Sequence, residues 1–168
     1  PTSNAQVKLT TPAASGTASG ATLLLGSVDS AGVSSTFSTT LYTGNGAVNT
    51  INTGIDLAGD GGLVWIKSRT EGTYGGHALF DTERGPNKVI STSGDSNISA
   101  TMAQVTSSSP DKDLTSFNSN GFSLGVDYYF NKNTNSENYA AWTFRKAPKF
   151  FDVVTYTGTG VAGRTVSH

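Results

Sequence analysis

The stretch FSTTLYTGNG, Phe37 to Gly46, decides how this chain is read. Phe37, Thr39 and Leu41 alternate with Ser38, Thr40 and Tyr42, and a period of two puts the two sets on opposite faces of a strand. Gly44-Asn45-Gly46 then offers residues that tolerate positive φ, so the strand ends in a tight turn. A strand this short cannot stand alone. It needs partners in a sheet, and the sheet needs a second layer over its apolar face.

The same grammar continues outward. A second strand starts near Asn49. Asp60-Gly61-Gly62 turns the chain into Leu63–Lys67, a nearly continuous β-forming run suited to the centre of a sandwich. After a Gly-rich loop at 71–76 come His77–Asp81, the turn Arg84–Asn87, and Lys88–Ile90. Gly94–Asp113 is polar and reads as a long loop. Ser116–Leu124 reads as a hairpin about Asn120-Gly121, the strongest turn dipeptide in the chain. Asn131–Asn138 reads as an exposed loop tip. Tyr139–Arg145 alternates again, and Trp142 and Phe144, together with Trp65, are expected in the core. Short strands with turn signals every 8 to 12 residues or so point to an all-β sandwich or barrel, and two antiparallel sheets packed face to face, as in a jelly roll, give each short strand a buried side.

Composition agrees and narrows the function classes. The 168 residues suffice for one domain with a real core. Charged residues make up 14%, against about a quarter in a usual soluble domain, and hydroxyls and amides carry solubility instead. A net charge of −1 gives no electrostatic case for nucleic acid or an anionic membrane as partner. Cysteine is absent, which excludes disulfides and thiolate metal sites. The longest apolar run, Ala21 to Gly26, is too short to cross a bilayer. Residues 1–34 hold small residues and no aromatic, and read as a linker or an extended arm. Leu23, Leu24 and Leu25 are its expected anchors on a neighbouring subunit or larger particle.

The opening phrase returns near the end as FDVVTYTGTG, Phe151 to Gly160. Phe37, Tyr42, Thr43, Gly44 and Gly46 recur as Phe151, Tyr156, Thr157, Gly158 and Gly160 at one constant offset. A period of one domain length implies tandem domains. Residues 35–147 then form one sandwich, and 148–168 a hinge at Ala147-Pro148-Lys149 with the first strand of a second, truncated module. The alternative is a last strand that completes the first sheet. A chain that opens on Pro1 reads as a piece of a longer protein.

Five runs in collinear order carry a resemblance: YTGNG, DLAGDGGLVWIKSR (56–69), HALFDTERG (77–85), LTSFNSNGFSLG (114–125) and YAAWTFRKAPKFFDVVTYTGTG (139–160). Over about residues 35–168 the chain resembles a module of bacteriophage tail-fibre and other virion appendage proteins, common in marine and cyanobacterial phages. That module is similar to the concanavalin A-like sandwich of lectins and glucanases. The resemblance implies a non-enzymatic structural protein of a phage virion, in a tail fibre, spike or capsid-surface fibre. Its partners would be other virion proteins and copies of itself in a homotrimer, with host-surface glycan as a further partner.

The chemistry readable from residues is sparse. A retaining glycosidase needs two carboxylates about 5 Å apart. Asp81 and Glu83 share a strand face, but Arg84 and Gly85-Pro86 follow at once, and a pairing of acid with Arg84 is expected instead. His77 is expected to make a backbone hydrogen bond. No cofactor is implied, although Asp111 and Asp113 on one loop leave room for calcium. Glycan contact would use exposed aromatics beside amides. Tyr74, Tyr128 and Tyr129, with Asn133 and Asn135, fit that recipe.

Overall fold

A computed structural model describes residues 33–70, 76–91, 104–106, 109–126 and 132–167. The arm with Leu23, Leu24 and Leu25, and the glycan candidates Tyr74, Tyr128 and Tyr129, lie outside the described residues. All the strands belong to one unit, residues 31–168.

One helical turn, α1 (Val33–Thr36), leads into β1 (Phe37–Thr43). There follow β2 (Asn49–Asn52), β3 (Gly62–Ser68), β4 (His77–Asp81), β5 (Lys88–Ser91), β6 (Gln104–Thr106), β7 (Leu114–Asn118), β8 (Gly121–Leu124) and β9 (Asn138–Arg145). They form a six-stranded sheet in the order β1-β9-β3-β4-β5-β6 and a three-stranded sheet in the order β2-β8-β7. Every strand pair is antiparallel. The all-β sandwich expected from the alternation is therefore the observed fold.

The core lies between the sheets. Val64 and Ile66 of β3, Ala78 and Phe80 of β4, Val89 of β5, and Tyr139 and Ala141 of β9 face it from the larger sheet. Ile51, Phe122, Leu124 and Leu114 close it from the smaller sheet, and Ile55 and Leu57 of the connecting segment seal one end. A fully buried side chain of this size contributes about 1.5–3 kcal/mol, so this set holds the two layers together.

Several expectations are corrected. The alternation of β9 is real, but its core face is the other one. Tyr139, Ala141 and Thr143 are buried, whereas Trp142 and Phe144 are half-buried on the outer face of the large sheet. Trp65 points outward beside them. Gly44-Asn45-Gly46 turns the chain as expected, with Gly46 at φ 68°, but does not join neighbouring strands of one sheet. It is a corner that carries the chain from β1 in one sheet to β2 in the other. The predicted hairpin exists, but its two-residue turn is Ser119-Asn120, because Gly121 already pairs with Asn118 and Asn52. Gly121 is instead needed for close approach, since a Cβ there would lie 2.1 Å from the Ile51 carbonyl oxygen. The polar run expected to be loop contains β6.

The repeated phrase at Phe151–Gly160 completes no sheet here. Phe151 makes one isolated antiparallel bridge to Ala147, and residues 152–167 hold no strand.

Candidate functional site

The clearest constellation is the seat of the YTGNG turn. β1 delivers Tyr42 to the core edge, where its ring stacks on Tyr139 at 5.0 Å and meets Phe122 edge-on at 6.5 Å. The Tyr42 hydroxyl donates to the Lys132 carbonyl at 2.7 Å. Gly44 donates its N–H to the Glu137 carbonyl at 2.8 Å and accepts from Ser136 N–H at 3.0 Å. A Cβ on Gly44 would lie 2.2 Å from the Thr134 carbonyl oxygen, so glycine is the residue that fits. Gly46 has φ 68°, a left-handed conformation, and donates to the Asn133 carbonyl at 2.7 Å.

Asn133 is the hub of this seat and is 2% exposed. Its two Nδ2 hydrogens are shared among the Ala47 carbonyl at 2.5 Å, the Gly125 carbonyl at 3.0 Å and Asn45 Oδ1 at 3.2 Å. Its Oδ1 accepts from Asn45 N–H at 3.2 Å and Asn49 Nδ2 at 3.1 Å. The loop read as an exposed tip is thus a clamp, with Lys132 and Asn133 buried and Asn135 exposed. A glycan hydroxyl has no access to the Asn133 amide, which rules out the sugar contact expected of it. Asn135 meets Gly46 instead, with its Cβ about 3.5 Å from where a Gly46 Cβ would be. Sequence reasoning found the turn but missed the clamp, because nothing near Asn133 in the chain announces partners more than eighty residues away.

The candidate acids do not converge. Asp81 is buried against Arg84, with Arg84 Nε donating to Asp81 Oδ2 at 2.5 Å and Arg84 N–H to Asp81 Oδ1 at 2.9 Å. Glu83 points away and accepts from Lys146 at 2.7 Å. Lys146 also reaches Asp152 at 3.2 Å, and these two carboxylates hold its ammonium pKa above the ordinary value. The expected pairing of Asp81 with Arg84 is what the structure contains. Asp111 is exposed and accepts from the Ser109 hydroxyl, which lowers its pKa. Asp113 is buried at φ 56°, with its backbone tied to Gly125 and Val126. Among the described residues no three His, Asp or Glu side chains gather as a metal site.

The His77 side chain makes a contact that the sequence did not announce. Its Nδ1 accepts from Trp65 Nε1 at 2.8 Å, so the ring proton of the neutral form sits on Nε2. Burial, and then the charges of Lys67 and Lys132, lower its pKa below 6.5.

The outer face of the large sheet is the second notable surface. Cross-strand register sets three rows on it: Leu41–Ala140–Lys67–His77, Thr39–Trp142–Trp65–Leu79, and Phe37–Phe144–Leu63–Asp81. Trp65 and Trp142 meet at 5.1 Å, Trp65 and His77 at 5.4 Å, and Phe37 and Phe144 at 4.9 Å. Phe151 extends the third row, 5.2 Å from Phe144. No helix of the described residues is long and apolar enough to cross a membrane.

Residues 32–168 match the family described as Domain of unknown function (DUF7483), and the chain belongs to that family. No curated protein and no solved structure matches the chain.

Proposed function

We propose that this DUF7483 member is a non-enzymatic structural module of a phage virion, in a tail fibre, spike or capsid-surface fibre. It would assemble with other virion proteins and with copies of itself as a homotrimer, outside the cell on the particle. One observation carries the structural part of this reading. The polar groups that chemistry would need are engaged in holding backbone and ion pairs: Asn133 in the turn seat, Asp81 on Arg84, Glu83 on Lys146. The assignment to a virion rests on the sequence resemblance over about residues 35–168. A rigid, cysteine-free sandwich of low charge suits repetition along a fibre and close symmetric packing.

The test is direct. Antibody raised against the chain should label intact particles at an appendage, and light scattering should give a trimer. Labelling confined to infected-cell lysate, with a monomer in solution, would overturn the reading.

A second reading, a carbohydrate-binding module, is favoured by the outer row of Trp65 and Trp142 beside Lys67 and His77. Aromatic faces next to polar tips suit sugar stacking. A glycan array probed with the chain and with Trp142→Ala separates the two: binding lost in the variant supports the lectin reading, and a silent array refutes it.

A further inference from the structure

We propose that residues 151–160 are a docking strand, which completes another sandwich of this kind in the place that β1 and its turn take here. The inference goes beyond the virion reading and holds whatever particle the module serves.

Each residue of the repeated phrase has a job in its first copy. Tyr42 needs the Lys132 carbonyl and the Tyr139 ring, and Gly44 is glycine because Thr134 leaves no room for a Cβ. The second copy keeps the residues without those surroundings. Nothing lies within 4 Å of a Cβ built on Gly158 or Gly160. Tyr156 is 65% exposed, with the Arg164 guanidinium 5.6 Å from its ring centroid. Gly160 has φ 73°, close to the 68° of Gly46. Phe150, Val154, Tyr156 and Val161 are four of the seven large hydrophobic residues most exposed among those described. A tyrosine and a glycine, Gly158, that neither the present surroundings nor a positive φ requires point to a loop that crowds them elsewhere.

That partner is not the chain's own seat, for two reasons. After β9 the chain turns back with Ala147 N–H on the Phe151 carbonyl at 2.9 Å. Prolonging that pairing along β9 would set Val154 opposite Phe144. The β1 register, in which Phe37 faces Phe144, requires Phe151 there. The two differ by three residues, and an odd slip sends every side chain to the wrong face. Second, Thr159 stands where the first copy has Asn45. A threonine hydroxyl makes the turn contact of Asn45 to Ala47 N–H only weakly and has no amide for the contact that Asn45 Nδ2 makes with the Val48 carbonyl, so the second copy does not displace the first.

The partner is therefore a sandwich whose first-strand place is open. It offers a β9-like edge, an aromatic ring for Tyr156, and a loop whose carbonyls take the tyrosine hydroxyl and the glycine N–H groups.

The chain itself supplies the probe. Gly44→Val cannot enter its own seat, which leaves that seat open in an otherwise whole chain. Thr155 corresponds to Leu41, which faces Ala140 across the strands. The protein has no cysteine, so Thr155→Cys with Ala140→Cys in the Gly44→Val background reports seating through one disulfide. The expected result is a cross-linked dimer on a non-reducing gel. Thr159→Asn should raise its yield severalfold, and Gly158→Val should abolish it. Absence of a cross-link, a cross-link within one chain, or a dimer indifferent to Gly158→Val would each overturn the proposal. Tyr42→Ala weakens the hold of the first copy on its seat without a backbone clash, by removing the ring contacts and the hydroxyl contact to Lys132. It carries the same cysteine pair if Gly44→Val does not fold.

Discussion

Asn133→Ala should destabilise the fold by about 3 kcal/mol, although it removes only one small amide. The amide bridges three acceptors and two donors. A typical internal hydrogen bond contributes about 1 kcal/mol net, and a buried acceptor left without a donor costs about 1–3 kcal/mol. Asn45 and Ala47 are exposed and Asn49 half-exposed, so they regain water on truncation. Gly125 is buried and its carbonyl does not. The total is therefore nearer one orphaned acceptor plus one or two net hydrogen bonds than the sum of five contacts. Asn133→Asp should cost more, about 5 kcal/mol above neutral pH. A buried carboxylate would face two carbonyls and an amide oxygen in place of the NH2. Asn135→Ala, on the exposed side of the same loop, should cost under about 0.5 kcal/mol. Urea denaturation followed by tryptophan fluorescence measures all three. With a slope of about 2 kcal/mol/M, Asn133→Ala should lower the midpoint by about 1.5 M. Hydrogen exchange at Gly44 and Gly46, whose N–H groups rest on this loop, should speed up most. An Asn133→Ala midpoint within about 0.5 M of the parent would refute the clamp, as would Asn133→Asp no worse than Asn133→Ala.

His77 should make stability pH-dependent in a defined direction. Its folded pKa is below 6.5, so the unfolded chain binds the proton more readily, and the contribution present above pH 6.5 is lost as pH falls through the folded value. His77→Gln should flatten the denaturation midpoint between about pH 7.5 and 5, and an unchanged slope would remove His77 as the cause. Asp81→Ala should cost about 3–5 kcal/mol by leaving the Arg84 guanidinium buried without its carboxylate. Glu83→Gln should cost about 1 kcal/mol or less, because its contact with Lys146 is solvated. Equal losses in the two variants would contradict the burial difference.

Much of this fold was legible because alternation reports strands without knowing the partner. β1 and β9 stand where alternation places them, and β3, β4, β5 and the β7–β8 hairpin where short apolar bursts between turn signals do. β6 was not legible: Gln104–Thr106 is three residues long, too short to show a period, and its place is set by pairing with β5. The face of β9 was misread for a different reason. Alternation separates Ala140, Trp142 and Phe144 from Tyr139, Ala141 and Thr143, but residue size does not say which set meets the second sheet. Phe80, Phe122 and Tyr139, with Leu57, Leu114 and Leu124, already fill the interlayer space, so β9 completes it with Ala141 and Thr143 and its tryptophan faces outward. Asn133 was legible only as a polar letter in a polar run, since its burial depends on Asn45, Ala47 and Gly125.

The outward aromatics also divide the outer face in a way that bears on both functional readings. At one end Lys67 and His77 stand beside Ala140 and Leu41, and polar tips lie next to the Trp65 ring. At the other end Leu63, Phe144, Phe37 and Phe151 form an apolar row, which the buried Asp81–Arg84 ion pair closes on the β4 side. A sugar needs hydrogen-bond partners beside the ring it stacks on, so only the first end suits it. Contact between protein surfaces favours a dry, aromatic centre, and the second end supplies one. That second end is also where the repeated strand leaves the module at Phe151. A strand that docks into a neighbouring sandwich would therefore draw the dry row against its neighbour while leaving the Lys67–His77 end free for ligand.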